Sequence, residues 1–148
     1  MSMINDKLFM DIALQFASQS KCVSRKVGAV LVRGGRILST GYNGTPPGWE
    51  NCCDHFPHYG TDQRTDHIEW STANEVHAEM NALAWAAKEG TPTDKATIYT
   101  TVQPCSDCLK NIVAAGIIEI IYLEKYDRMQ NQDFIDALHT LGVKYYQL

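Results

Sequence analysis

Two short stretches of this chain carry side chains suited to metal and proton chemistry: Glu75-Val76-His77-Ala78-Glu79 and, downstream, Pro104-Cys105-Ser106-Asp107-Cys108. Zinc prefers a tetrahedral shell of imidazole and thiolate, and a catalytic zinc keeps one position open for water. His77, Cys105 and Cys108 supply three such donors and no obvious fourth. Cys105 and Cys108 are three apart at the opening of an expected helix, so both sulfurs project from its first turn, where the helix N-terminus favours thiolate over thiol. His77 and Glu79 would splay on a regular helix, but within a first turn both point out of its end toward one ligand. A metal held there sits between two helix N-termini, with Glu79 beside it to move protons.

Each half of this constellation has a plainer reading. Cys-x-x-Cys alone also serves as a structural zinc half-site or a redox pair, and His-x-Glu alone occurs by chance. Their combination separates the readings: each begins an expected helix, a strand lies between them, and a redox dithiol has no use for His-x-Glu.

The elements that must position these groups follow from periodicity. In residues 4–20 the apolar Leu8, Phe9, Ile12, Ala13, Phe16 and Ala17 recur at helical spacing. Residues 27–32 and 36–42, separated by Gly34-Gly35, read as a β-hairpin. Residues 43–70 keep no period and hold six Gly or Pro, three His and two Cys, which favours a functional loop. A helical pattern covers residues 70–90, with Ser71 or Thr72 as cap and Gly90 closing it. A strand over 96–101, a helix opened by Pro104 and running to Ala115, and a doubly buried strand over 117–123 come next. A last helix over 130–141 and an edge strand over 143–147 complete the chain. The order α, β, β, α, β, α, β, α, β predicts one domain, residues 1–148, built as a three-layer α/β/α sandwich around a five-stranded mixed sheet.

Bulk properties bound the partners. A chain of 148 residues with 45% hydrophobic content suffices for one core. A net charge of −4 disfavours a nucleic-acid polymer as partner but leaves room for a small anionic ligand in a local basic pocket. Residues 1–20 intersperse Asp6, Lys7, Asp11 and Gln15 among apolar residues, unlike a signal peptide or a membrane span. Five cysteines, an odd number, fit a reducing cytoplasm better than a disulfide framework.

The motif pair His77-Ala78-Glu79 and Pro104-Cys105-Ser106-Asp107-Cys108 resembles the zinc-dependent cytidine deaminase superfamily. Lys26-Val27-Gly28-Ala29-Val30, Gly41-Tyr42-Asn43-Gly44, Glu79-Met80-Asn81-Ala82 and Lys125-Tyr126-Asp127 narrow the resemblance to deoxycytidylate (dCMP) deaminases, especially those of tailed phages. The resemblance implies hydrolysis of dCMP to dUMP and ammonia, in the host cytoplasm for a phage enzyme, supplying dUMP for thymidylate synthesis. Glu79 is then the catalytic proton carrier, and Asn43, Ala78 and Tyr126 contact the substrate. For the 5′-phosphate, Arg25, Lys26, Arg64, Lys125 and Arg128 are candidates among which the sequence does not choose.

Cys22, Cys52, His67 and Glu75 match, by the same resemblance, the set holding a second, structural zinc, with His55, His58 and Cys53 as rival ligands nearby. The resemblance further implies a homohexamer, activated by dCTP and inhibited by dTTP. The effector would bind around Gly44, Thr45, Pro46 and Lys26, with Mg²⁺ between phosphate and protein. Trp85, on a helix otherwise rich in alanine, suits either a subunit contact or the core. The competing readings are a deaminase of another base, such as a tRNA adenosine, free cytosine or guanine, and a non-catalytic zinc-stabilised interaction module. The latter would have no use for Glu79.

Overall fold

Alternation of apolar side chains along the strands divides the core between the two faces of one sheet. The computed structural model describes residues 3–148, in which five strands pair in the order β2-β1-β3-β4-β5. The hairpin of β1 (Gly28–Arg33) and β2 (Arg36–Tyr42) turns at Gly34 and Gly35, whose φ angles of 59° and 73° suit residues without a Cβ. β1 also pairs antiparallel with β3 (Thr97–Val102). β3 runs parallel to β4 (Glu119–Glu124), and β4 runs parallel to the edge strand β5 (Lys144–Gln147).

One face carries Val30, Val32, Tyr99 and Ile121 against Phe9, Met10 and Ala13 of α1 (Met3–Ala17). Ala29, Leu31, Ile98 and Ile120 look the other way, into the layer of α4 (Ala78–Glu89), α5 (Ser106–Ala114) and α6 (Gln132–Ala137). This is the three-layer sandwich expected. Ile98, Ile120 and Ile121 are fully buried. Burying a side chain of that size contributes about 1.5–3 kcal/mol, so consecutive isoleucines on opposite faces hold both outer layers.

A buried polar contact adds to the α1 side. The Tyr99 hydroxyl donates to Asp6 Oδ1 at 2.7 Å and the Tyr146 hydroxyl to Asp6 Oδ2 at 3.4 Å, tying α1 to β3 and β5.

Several expected boundaries move, each for a local reason. The aperiodic stretch 43–70 contains a short helix α2 (Cys52–His55), a 3₁₀ turn (Thr61–Gln63) and the start of α3 (Arg64–Asn74). The single helix expected over 70–90 is two helices. Residues 75–77 between them are not helical, and Val76 exchanges both backbone hydrogen bonds with Gly44, at 2.7 and 3.1 Å. Ser71 and Thr72 therefore lie inside α3 rather than at a cap. Pro104 precedes its helix instead of opening it, because Cys105 is the N-cap of α5. The last helix is shorter than expected, starting where the Asn131 side chain accepts from Phe134 N.

Two glycines set how closely the layers approach. A Cβ on Gly28 would strike the backbone of Ala13 and Ala17 in α1, and one on Gly41 would strike the Ala78 carbonyl and Ala82 amide in α4. Gly41→Ala should push the first turn of α4 off the sheet. Chemical denaturation is expected to show a loss of about 1–3 kcal/mol, the usual cost of overpacking a tight core.

Candidate active site

Two helices start at the same place, and neither has an ordinary capping residue. His77 is the N-cap of α4 (φ −64°, ψ 152°) and Cys105 the N-cap of α5 (φ −69°, ψ 167°), and neither side chain makes a capping hydrogen bond. Their side chains turn toward each other instead. His77 Nδ1 lies 3.3 Å from Cys108 Sγ and 3.6 Å from Cys105 Sγ. A nitrogen and a sulfur ligand about 3.5 Å apart is what tetrahedral coordination demands at zinc bond lengths of about 2.0 and 2.3 Å. The donor set thus fits such an ion, and among the described residues these three form one of two clusters that do.

The electrostatics of the site favour thiolate at Cys105. Cys105 is held at about 4, well below a free thiol, by hydrogen bonds from Cys108 and His77. Cys108, the donor in that pair and itself buried, is pushed up. His77 is pushed up, chiefly by its bond to Cys105. Glu79, second residue of α4, is only 4% exposed, and burial pushes its carboxyl above the usual range. A carboxyl so placed suits a group that both takes and returns a proton.

A cavity of about 690 Å³ opens over these groups. It lies where β3 and β4 end and β1 begins, the usual position for a ligand at the carboxyl ends of parallel strands. His77, Glu79 and Cys105 line it, together with Asn43, Ala78 and Tyr126. Asn43 braces the wall: its Oδ1 accepts from Val27 N at 2.8 Å and its Nδ2 donates to the Arg25 carbonyl at 2.7 Å. Of the five cations considered from the sequence, Arg25, Arg64 and Arg128 line the cavity, and Lys26 and Lys125 do not.

The second group of ligands also comes together. Cys22, Cys52, His67 and Glu75 are all buried, with donor atoms within 4.8 Å of one another. Both carboxylate oxygens of Glu75 are buried without a hydrogen-bond partner, although His67 Nε2 lies 3.7 Å from one of them. A buried carboxylate left in this state is costly unless a cation is beside it, so this set also fits a metal. Burial pushes the Cys22 thiol up, and the Cys52 thiol up to about 12. The rival residues lie elsewhere: Cys53, His55 and His58 are exposed, and His55 pairs with Glu50 at 3.0 Å.

The proposed effector residues are less concentrated. Gly44 forms the bridge to Val76, and Thr45 and Pro46 follow it, lining neither this cavity nor the shallower one of about 660 Å³. Lys26 lines that second cavity with Lys21. Trp85 is 48% exposed under the Lys88 ammonium, which excludes the core alternative.

Two glutamines escaped the sequence reading. Gln103 Oε1 accepts from Tyr126 N at 3.0 Å, while Gln130 Nε2 donates to the carbonyls of Tyr126 and Pro104 at 2.8 and 3.0 Å. They stitch the tyrosine loop to the turn before Cys105. Neither stands in a motif, though Gln103 adjoins Pro104.

Comparison with known proteins accords with this site. The family profile described as "Cytidine and deoxycytidylate deaminase zinc-binding region" matches residues 3–124. The deoxycytidylate deaminase of Enterobacteria phage T4 is 37% identical, over 94% of this chain and 87% of that protein. That of Enterobacteria phage T2 is also 37% identical, over 94% and 89%. The crystal structure of dCMP deaminase from the cyanophage S-TIM5, in complex with dCMP and dUMP, superposes with a TM-score of 0.79 at 34% identity, covering 100% of this chain and 99% of that one. With most of its length matched by the family profile, the chain belongs to the cytidine and deoxycytidylate deaminase family.

Proposed function

We propose that this protein hydrolyses the 4-amino group of dCMP, giving dUMP and ammonia, in the cavity above His77 and Glu79. The observation that carries the reading is the convergence of His77 Nδ1 and the Cys105 and Cys108 sulfurs beside a buried carboxylate, in a cavity lined by three arginines. The named activity of the T4 and T2 relatives and the ligands of the cyanophage complex support the substrate.

His77, Cys105 and Cys108 would hold a zinc ion, which when bound activates water at neutral pH and polarises the reacting group. Glu79 takes one proton from the attacking water and gives it to N3 of the ring, then takes the second from the hydroxyl added at C4 and gives it to the departing amine, so that C4 becomes a carbonyl as its bond to nitrogen breaks. Burial keeps this carboxyl ready to be protonated between those steps. Asn43 meets the sugar and Tyr126 the nucleotide. Ala78, fully buried between His77 and Glu79, leaves room for the base where a larger side chain would intrude. Arg25, Arg64 and Arg128 are the cations for the 5′-phosphate, since they line the cavity that the lysines do not reach.

The buried set Cys22, Cys52, His67 and Glu75 would hold a second, structural zinc, which the unpartnered oxygens of Glu75 favour. Regulation by dCTP and dTTP, with Mg²⁺, is assigned to the turn at Gly44, Thr45 and Pro46 and to Lys26. The bridge from Gly44 to Val76 gives that turn a direct backbone link to His77. The exposed Trp85 is a candidate contact within a homohexamer. The five free thiols suit a cytoplasmic setting. No helix among the described residues is long and apolar enough to cross a membrane.

Glu79→Gln should keep the metal, by elemental analysis, and lose at least about 10²-fold in turnover of dCMP, the range expected for a general acid–base group. Substantial residual activity would reassign proton transfer. The purified protein is expected to carry two zinc ions per chain and Cys22→Ser to carry one. A single ion unaffected by that substitution would remove the second site. If the effector assignment holds, velocity against dCMP is sigmoidal, and dCTP makes it hyperbolic while dTTP opposes the change.

A further inference from the structure

Arg25 is the most thoroughly held of the cavity's three cations, and its holder on the outer side is an acidic residue. Its Nη2 donates to Glu124 Oε2 at 3.0 Å, and its guanidinium lies 5.5 Å from the centre of the Tyr126 ring. Its backbone is fixed as well, through the bond from Asn43 Nδ2 to its carbonyl. Glu124 is the last residue of β4, so the pair ties the segment before β1 to the end of β4.

We propose that Glu124 is a positioning residue for the nucleotide's 5′-phosphate, acting through Arg25. The inference rests on the reading of the cavity as a dCMP site. Two observations distinguish orientation from competition. Arg25 lines the cavity and Glu124 does not, so the carboxylate sits behind the guanidinium and not where a phosphate would lie. A guanidinium also has five N–H donors, and among the described residues only Nη2 is engaged by a protein acceptor. The remaining donors are left in the fork geometry that binds a phosphate bidentately.

The side chains of Arg25 and Glu124 are 46% and 64% exposed, and an ion pair this exposed adds little to folding. Its consequence is preorganisation. The long arginine side chain is ordered before the ligand arrives, so less freedom is lost on binding. Glu124 therefore governs affinity for the phosphorylated ligand and leaves the chemistry at Glu79 alone.

The test compares Glu124→Gln with the native protein, following dCMP turnover and the binding of dUMP and of deoxyuridine by calorimetry. The KM for dCMP and the Kd for dUMP should each rise about three- to tenfold, as expected when one side chain must be ordered at binding. Meanwhile kcat and the binding of deoxyuridine should stay within about twofold, since neither involves the ordering of Arg25. Glu124→Asp should recover part of the loss. In an Arg25→Met background the further change Glu124→Gln should add little, because the guanidinium that Glu124 holds is already gone. An unchanged or lower KM for dCMP would overturn the proposal, the latter by identifying Glu124 as a competitor of the phosphate. Equal losses for dUMP and deoxyuridine would reduce Glu124 to a structural role. If the native protein itself leaves dCMP unchanged, the underlying reading fails, whatever Glu124 does.

Discussion

Three extended residues between two helices hold the site together. On a continuous helix Glu75 and His77 would point about 160° apart, and no one cavity would receive both. The exchange of hydrogen bonds between Val76 and Gly44 takes these residues out of the helix, and extended backbone places residues two apart on one face. Both then line the same cavity. The same bridge ends α3 and frees His77 to cap α4. It also fixes the start of the turn that follows Asn43, whose side chain braces the opposite wall.

The layers were legible in the sequence because burial there is periodic. Residues 28–33 and 119–124 alternate between two apolar faces, and the Gly34-Gly35 turn announces the hairpin. The break at residues 75–77 was not legible, since it depends on a partner some thirty residues away in the chain and on caps that no propensity favours. Histidine and cysteine serve as N-caps here because their side chains are committed to each other. Ser71 and Thr72, better caps by type, lie within α3. Pro104 was misplaced for the same reason: its neighbour Cys105 took the cap.

Chemistry was easier to read than its support. The residue types of His77, Glu79, Cys105 and Cys108 declare themselves, and the structure brings the three ligating side chains within hydrogen-bonding distance of one another. Asn43 was read as a substrate contact, and its backbone keeps a negative φ, since among the described non-glycine residues only Lys95 and Met129 have positive φ. Its work is done by the side-chain amide, which bonds both Arg25 and Val27. Gln103 and Gln130 act in the same manner on the Tyr126 loop. Such amides carry no spacing signal, because their targets are backbone groups that every residue has.

The contact of Asp6 with Tyr99 and Tyr146 lies on the other side of the sheet from all of this. It joins residues 140 apart in the chain, while the helices bearing His77 and Cys105 belong to the middle of the sequence. Contacts of that separation are the slow ones to form, since a long loop must close before anything is gained. α1 and β5 accordingly belong to one cooperative unit despite lying at opposite ends of the sequence. The two ends of the sequence thus meet on the face behind the site, in a closure that contributes no atom to the site itself.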